Sequence, residues 1–296
     1  MTFLEKAKYK FQTANVVEKL IAVNLVIFIL MYVFQAVAFL FQFQENFILD
    51  WFSFSKDPDD LLFKPWSIVT YAFLHAGLWH ILGNMLILYY AGTYFISYFT
   101  PKKLLTFYFL GAIVGALVYM LSYNFFPAFA GTGRSYLIGA SAGVMAILVG
   151  IATKVPHLGV RLLIIGTIKL WHIAAFFVIL DIIRIPTGNA GGFLAHLGGA
   201  FLGYFYVKQL DKGNDIGKWW ENFMDWFANL FITQKKKPFK TVHRNNKQTS
   251  RTVSSVSDKT AKQKKIDGIL DKISKSGYDS LSKEEKDFLF KSGKEN

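Results

Sequence analysis

Gly139-Ala140-Ser141-Ala142-Gly143 opens a short apolar run that continues to about Thr153, and the reading of this pentapeptide decides the fold. Glycines on either side of a serine leave the backbone open to a substrate, and a helix starting there offers unpaired N–H donors to a developing oxyanion. Small residues at this spacing also let membrane helices pack closely, so the pentapeptide taken alone reads first as a packing surface. Which role applies depends on the partners that the rest of the chain supplies.

Composition sets the environment. The chain has 296 residues, 53% of them hydrophobic and 17% aromatic, with a mean hydropathy of +0.31, well above what a soluble domain of this length needs for its core. It reads as a membrane protein. Thirty phenylalanines and no cysteine exclude a disulfide framework, thiolate catalysis and a zinc site built on sulfur. No cofactor and no metal are called for. The net charge of +13 is uneven, because residues from Lys208 onward hold 20 of the 33 Lys and Arg. No binding motif accompanies those charges, so a nucleic-acid partner is not expected.

Residues 1–17 form a polar N-terminal segment, and 18–208 hold six apolar spans: about 20–41, 80–98, 104–123, 139–153, 170–183 and 193–207. The first is too long for a signal-peptide core and lacks a small-residue cleavage site. The long loop from Gln42 to about Trp79 mixes acids with Trp51, Phe52, Trp66 and other aromatic residues and belongs half in the membrane interface. The fourth span is short for a bilayer of about 30 Å, so it must be surrounded by protein or thin the membrane. Between Pro156 and the fifth span, Val160 to Lys169 is rich in β-branched residues around Gly166 and predicts a small surface hairpin. The loops that six spans put with the termini hold nine Lys and Arg, and the opposite loops hold four: Lys56, Lys64, Arg134 and Arg184. Both termini are therefore expected in the cytoplasm.

Beyond the spans, 209–234 predicts an amphipathic helix on the inner leaflet, with Trp219, Trp220, Phe223, Trp226 and Phe227 near helical spacing. Residues 235–265 are basic and poor in large apolar residues, which predicts a disordered linker drawn to anionic lipid. A two-helix region follows at 266–296, its second helix capped by Ser282-Lys283-Glu284-Glu285. This tail is expected to be an appendage, so that a chain cut after Lys212 keeps its chemistry.

Polar groups inside the spans are few, and each costs free energy unless paired or wet. They are Asn24, His80, Asn84, Ser141, His172, Asp181 and His196. His80, Ser141 and His196 all fall near the start of spans that enter from the outer side, so they should share a depth. His80 and Asn84 are four apart and share a helix face. Gly192, Ala195, Gly199 and Gly203 make a small-residue stripe beside His196, which brings it toward the small-residue fourth span and Ser141. A serine, a histidine to activate it and donors for an oxyanion are sufficient for acyl transfer. Asn24 and His172 read as structural. Ser141, Asp181 and His196 do occur in the chain order of an α/β-hydrolase triad, but that fold needs a parallel sheet for which six apolar spans leave no room. Asp181 is accordingly read as structural, with orientation of the histidine as the alternative.

The chain resembles the rhomboid intramembrane serine proteases over about residues 18–208. The matching residues are His75-Ala76-Gly77-Leu78-Trp79-His80-Ile81-Leu82-Gly83-Asn84, Gly139-Ala140-Ser141-Ala142-Gly143, and Ala195-His196-Leu197-Gly198-Gly199 with Gly203. The resemblance implies an all-α polytopic six-helix bundle with a cytoplasmic C-terminal tail, and a dyad without an acid: Ser141 as nucleophile, His196 as general base. His80, Asn84 and the Ser141 backbone N–H would hold the oxyanion, with the role of His75 open. It also implies single-span membrane substrates cut near the outer leaflet; the bacterial inner membrane is the expected location. Two positions depart from well-studied members: Ser67 follows Trp66 where an arginine is usual, and Met145 stands where some have a tyrosine against the histidine. Two other classes remain: a catalytically silent relative that binds or escorts membrane clients, and a small transporter, which would need broken helices in corresponding halves that are not seen.

Overall fold

A computed structural model describes residues 2–43, 47–162, 166–231 and 254–294. The chain divides into two compact units, 1–234 and 235–296. In the first unit α1 (Phe3–Thr13) and α2 (Val16–Phe41) each begin with a capping box, Thr2 with Glu5 and Asn15 with Glu18, so the polar segment ahead of the first span is itself helical. α2 ends where Gln42 turns left-handed at φ 57°. Along α2 the side chains of Ile29, Leu30, Val33 and Leu40 are exposed, as a helix apolar all round must be when acyl chains surround it.

The first loop is a folded structure. It contains α3 (Phe47–Phe52), β1 (Phe54–Ser55), α4 (Pro58–Phe63) and α5 (Ser67–Thr70), followed by a 3₁₀ turn over Tyr71–Phe73. Trp51 and Trp66 stack at 6.1 Å, and the Trp66 indole N–H donates to the Trp51 carbonyl at 2.8 Å. Lys64 donates to the Asp50 carbonyl at 2.7 Å, and Thr70 to that of Phe52 at 2.8 Å. Ser67 is buried here. These contacts answer how the loop is anchored without an arginine after Trp66.

α6 (Leu78–Ile96), α7 (Pro101–Phe125), the short β2 (Tyr136–Leu137) and α8 (Ser141–Lys154) come next. β1 pairs with β2, Phe54 opposite Leu137, which ties the first loop to the segment just ahead of the serine. The predicted hairpin is present as β3 (Gly159–Leu162) and β4 (Gly166–Lys169), with Val160 opposite Ile168. α9 (Leu170–Arg184) and α10 (Ala190–Asp211) complete the bundle. α2, α7, α10 and α9 with its 3₁₀ extension are each long and apolar enough to cross a membrane, and α6 qualifies together with the bent segment before it. Fourteen-residue α8 is shorter, about 21 Å at 1.5 Å per residue, and of the two expectations for it burial is the outcome, since Val144 to Leu148 are all buried.

Close approach of α8 to α10 depends on glycine. A Cβ on Gly199 would stand 2.0 Å from the Ala142 carbonyl oxygen, and one on Gly203 2.3 Å from that of Ala146. With hydrogen in those places the two backbones touch, in the manner of small-residue membrane packing. Two buried hydroxyls in the core find partners: that of Tyr71 donates to the Ala112 carbonyl at 2.7 Å and that of Tyr108 to the Ala72 carbonyl at 2.8 Å, pinning the 3₁₀ turn onto α7.

α11 (Lys218–Phe231) carries the expected amphipathic pattern, with Trp219, Phe223, Trp226, Phe227 and Leu230 exposed. Its other face, with the segment just before it, is tied to the start of α7. Lys103, at the start of α7 and only 13% exposed, bonds the Asp215 carboxylate, and Glu221 Oε1, 7% exposed, lies 2.7 Å from the same ammonium. The Tyr206 hydroxyl donates to Asp215 at 2.7 Å, Lys102 pairs with Asp225 at 2.6 Å, and Trp220 packs on Phe109. Burial pushes the Asp215 carboxyl up, but hydrogen bonds from Lys103 and Tyr206, the Lys103 charge and the Gly217 N–H outweigh it and hold it below the ordinary 3.8.

The second unit contains α12 (Ser254–Ser276) and α13 (Lys283–Lys294). Helix from Ser254 corrects the linker expected to run to residue 265; residues 235–253 lie outside the described residues. The Ser282 capping box is formed with Glu285, which also pairs with Lys272 at 2.9 Å.

Candidate active site

The serine is presented by a turn that only glycine accepts easily. Gly139 has φ 127° and donates its N–H to the Tyr71 carbonyl at 3.0 Å, so the pinned 3₁₀ turn holds the approach to α8. Ala140 caps the helix and Ser141 is its first residue, leaving the first-turn N–H groups without intrahelical acceptors. One open cavity of about 240 Å³ gathers His80 and Asn84 from α6, Ser141 and Met145 from α8, Asp181 from α9 and His196 from α10. The tertiary structure thus brings together all four residues expected to carry chemistry.

His80 faces the serine. Its Nδ1 accepts the Ala76 N–H at 3.3 Å, so in the neutral ring Nε2 carries the hydrogen. A Cβ on Gly139 would stand 2.8 Å from that Nε2 and 3.5 Å from Ser141 Oγ, which puts an N–H donor and the hydroxyl on either side of one small space. Asn84 donates to the His80 carbonyl at 2.9 Å, and an amide nitrogen has a second hydrogen to offer the cavity. His75 is fully buried, edge-on to His80 with centroids 5.1 Å apart, and its Nδ1 is 3.3 Å from the Phe73 carbonyl oxygen. It backs His80 and does not line the cavity. Met145, buried, lines the same cavity.

His196 does not hydrogen-bond Ser141 among the described residues, although both line the cavity; such bonds are often longer before substrate binds. Its Nδ1 is instead 3.1 Å from Asp181 Oδ1. The sequence reads Asp181 as structural with orientation of the histidine as the alternative, and this contact is the one that the alternative requires: α9 and α10 form a helical hairpin whose facing ends bring the two side chains together. The signal that was available is their position, Asp181 near the end of one span and His196 near the start of the next. Arg184 and Phe193, also on the cavity wall, were not anticipated. Asn24 donates to the Leu20 carbonyl at 2.8 Å, and His172 lies exposed against Trp171; neither reaches the site. Among the described residues no cluster of three His, Asp or Glu could hold a metal ion.

Residues 63–210 match the Rhomboid domain family over half the chain. The chain belongs to the rhomboid family. Residues 256–292 match a family of unknown function (DUF6576). Among curated proteins, this rhomboid is 29% identical over 184 residues to RHOMBOID-like protein 12, mitochondrial, of Arabidopsis thaliana, covering 58% of this chain and 54% of the relative. It is 31% identical over 163 residues to Rhomboid-like protease 3 of Toxoplasma gondii, covering 53% and 56%. Inactive RHOMBOID-like protein 8 of Arabidopsis thaliana is 33% identical over 82 residues, 27% of this chain and 23% of the relative. The chain spans about half the length of the first of these. Rhomboid relatives thus include a protease and an inactive protein by name. Membrane residence is supported by the spans, whereas the expected bacterial inner membrane is not: the first relative is named as mitochondrial.

Proposed function

We propose that this rhomboid is a serine endopeptidase that cuts membrane-protein substrates at the cavity between α6, α8, α9 and α10. The observation that carries the proposal is the convergence of Ser141, His196, His80 and Asn84 on one cavity from three separate helices. In this reading Ser141 Oγ attacks the scissile carbonyl as its proton passes to His196 Nε2, and the carbonyl π pair moves onto oxygen. His80 Nε2–H, the free Asn84 amide hydrogen and the Ser141 N–H meet that oxyanion. The imidazolium then gives its proton to the leaving amine as the C–N bond breaks, and water repeats the cycle on the acyl-enzyme.

The site stands at the N-terminal ends of α6, α8 and α10, whereas Lys102, Lys103 and Lys154 stand at the opposite ends of the bundle. The excess of cations there supports a cytoplasmic placing for those ends and for both termini, with the site toward the outer leaflet. Substrates are then proteins with a transmembrane helix, and the exposed aromatic face of α11 rests on the lipid surface, with anionic lipid as the partner that the basic composition of 235–265 favours. The test is fluorophosphonate labelling in detergent: wild-type protein labels, and Ser141→Ala and His196→Ala do not. Equal labelling of wild type and Ser141→Ala would leave the reading of a catalytically silent protein that binds or escorts membrane clients; one relative is named as inactive.

A further inference from the structure

The hydrogen bond between α9 and α10 points past a two-residue machine. Asp181 is 6% exposed, and among the described residues its Oδ2 has no hydrogen-bond partner while Oδ1 is 3.1 Å from His196 Nδ1. A buried carboxylate with a single partner is costly to hold, and among the described residues that partner is the imidazole. Arg184, one turn further along α9, does not pair with it among the described residues; its guanidinium stacks on the Phe193 ring at 5.0 Å. Phe193 in turn meets His196 edge-on at 6.0 Å. Two contacts between α9 and α10, Asp181 to His196 and Arg184 to Phe193, therefore fix the position and rotation of the imidazole ring.

We propose that Asp181 is a positioning residue for His196, so that this rhomboid works with a Ser–His–Asp relay in place of a dyad. The inference rests on the protease reading for its catalytic consequence. A carboxylate on Nδ1 accepts that nitrogen's hydrogen, which leaves Nε2 unprotonated and able to take the Ser141 proton. Without the carboxylate a neutral imidazole in solution favours the other tautomer, with its proton on Nε2 and no base toward the serine. As the Ser141 proton arrives at Nε2 the ring becomes an imidazolium whose Nδ1–H donates to the Asp181 carboxylate. Among the described residues, the other charged or titratable groups on the cavity wall are Arg184, whose guanidinium lies over Phe193, and His80 on α6, which by its own bond to Ala76 presents a hydrogen, not a lone pair.

The experiment uses the full chain in detergent with Asp181→Asn and Asp181→Ala. Turnover of a reporter peptide is split into kcat and KM, and nitrogen-15 spectra of labelled histidine report the His196 tautomer. The expected result is a fall of about 10²-fold or more in kcat with KM little changed, in protein that keeps its wild-type thermal midpoint. The spectra are expected to show the wild-type proton on Nδ1 and its redistribution to Nε2 in the variants. A folded Asp181→Asn with wild-type kcat, or with an unchanged tautomer, overturns the proposal. Should wild type label no faster than Ser141→Ala, the protease reading falls by itself, and the nitrogen spectra still decide the Asp181 contact. If Asp181→Ala does not fold, the near-isosteric Asp181→Asn carries the test.

Discussion

Replacing Gly199 by alanine should uncouple the serine from its base. The new Cβ would lie 2.0 Å from the Ala142 oxygen, 2.7 Å from its carbonyl carbon and 3.0 Å from its Cα, where ordinary contact begins at 3.4 Å. All three atoms are backbone, so no side chain can rotate away and α8 and α10 must part by about 1 Å or more. Ala142 follows Ser141 directly and Gly199 stands one turn after His196, which puts the wedge beneath the pair. A displacement of about 1 Å in a reacting constellation costs on the order of 10² in rate, and overpacking of a tight core about 1–3 kcal/mol. The assay is fluorophosphonate labelling alongside thermal unfolding in detergent, with Gly133→Ala as control because nothing lies within 4 Å of its Cβ. Wild-type labelling by Gly199→Ala would refute the argument that backbone contact between α8 and α10 sets the geometry.

Lys103→Met should destabilise the protein by about 3 kcal/mol, the low end for breaking a buried pair, because Lys218 remains 3.4 Å from Glu221; chemical unfolding checks it, and a loss below about 1 kcal/mol would mean that the cluster is solvated. A chain ending at Lys212 loses Asp215 and Glu221 and should unfold at a lower temperature than one ending at Phe231, with equal midpoints arguing that α11 does not support the bundle. Because the Asp215 carboxyl is held below its ordinary 3.8, its contribution is complete above that value and is lost as pH falls through the lower folded value; the stability gap between wild type and Asp215→Asn should therefore close on acidification below about pH 4. Asn84→Ala should lower the rate by about 10² to 10³ without abolishing it, as for loss of one oxyanion donor, and single-turnover kinetics would detect a rate left unchanged.

Much of this protein is legible without coordinates because hydropathy and local stereochemistry act over short stretches of chain. Long apolar runs have to be helices in a bilayer, since no water is there to satisfy the backbone, and so the spans could be marked to within a few residues. The hairpin over Val160–Lys169 and the Ser282 capping box were readable for the same local reason. Of the site, Ser141, His196, His80 and Asn84 were found because polar groups in apolar helices are expensive and therefore few.

What the sequence by itself determined, then, was a helical membrane protein with a serine, two histidines and an asparagine near the starts of their helices. Only the tertiary structure decided which surfaces meet. The order of residues put Asp181 and His196 near the facing ends of consecutive spans without fixing that they touch, and it did not say that Lys103 would be enclosed by Asp215 and Glu221 from the segment after the bundle, or that Tyr71 would hold Gly139. Each of these is a contact between segments whose rotation about their own axes is set by packing. Hydropathy reports how deeply a helix sits, whereas helix rotation follows from where glycine lets backbones touch, and that is settled only when all the helices are in place.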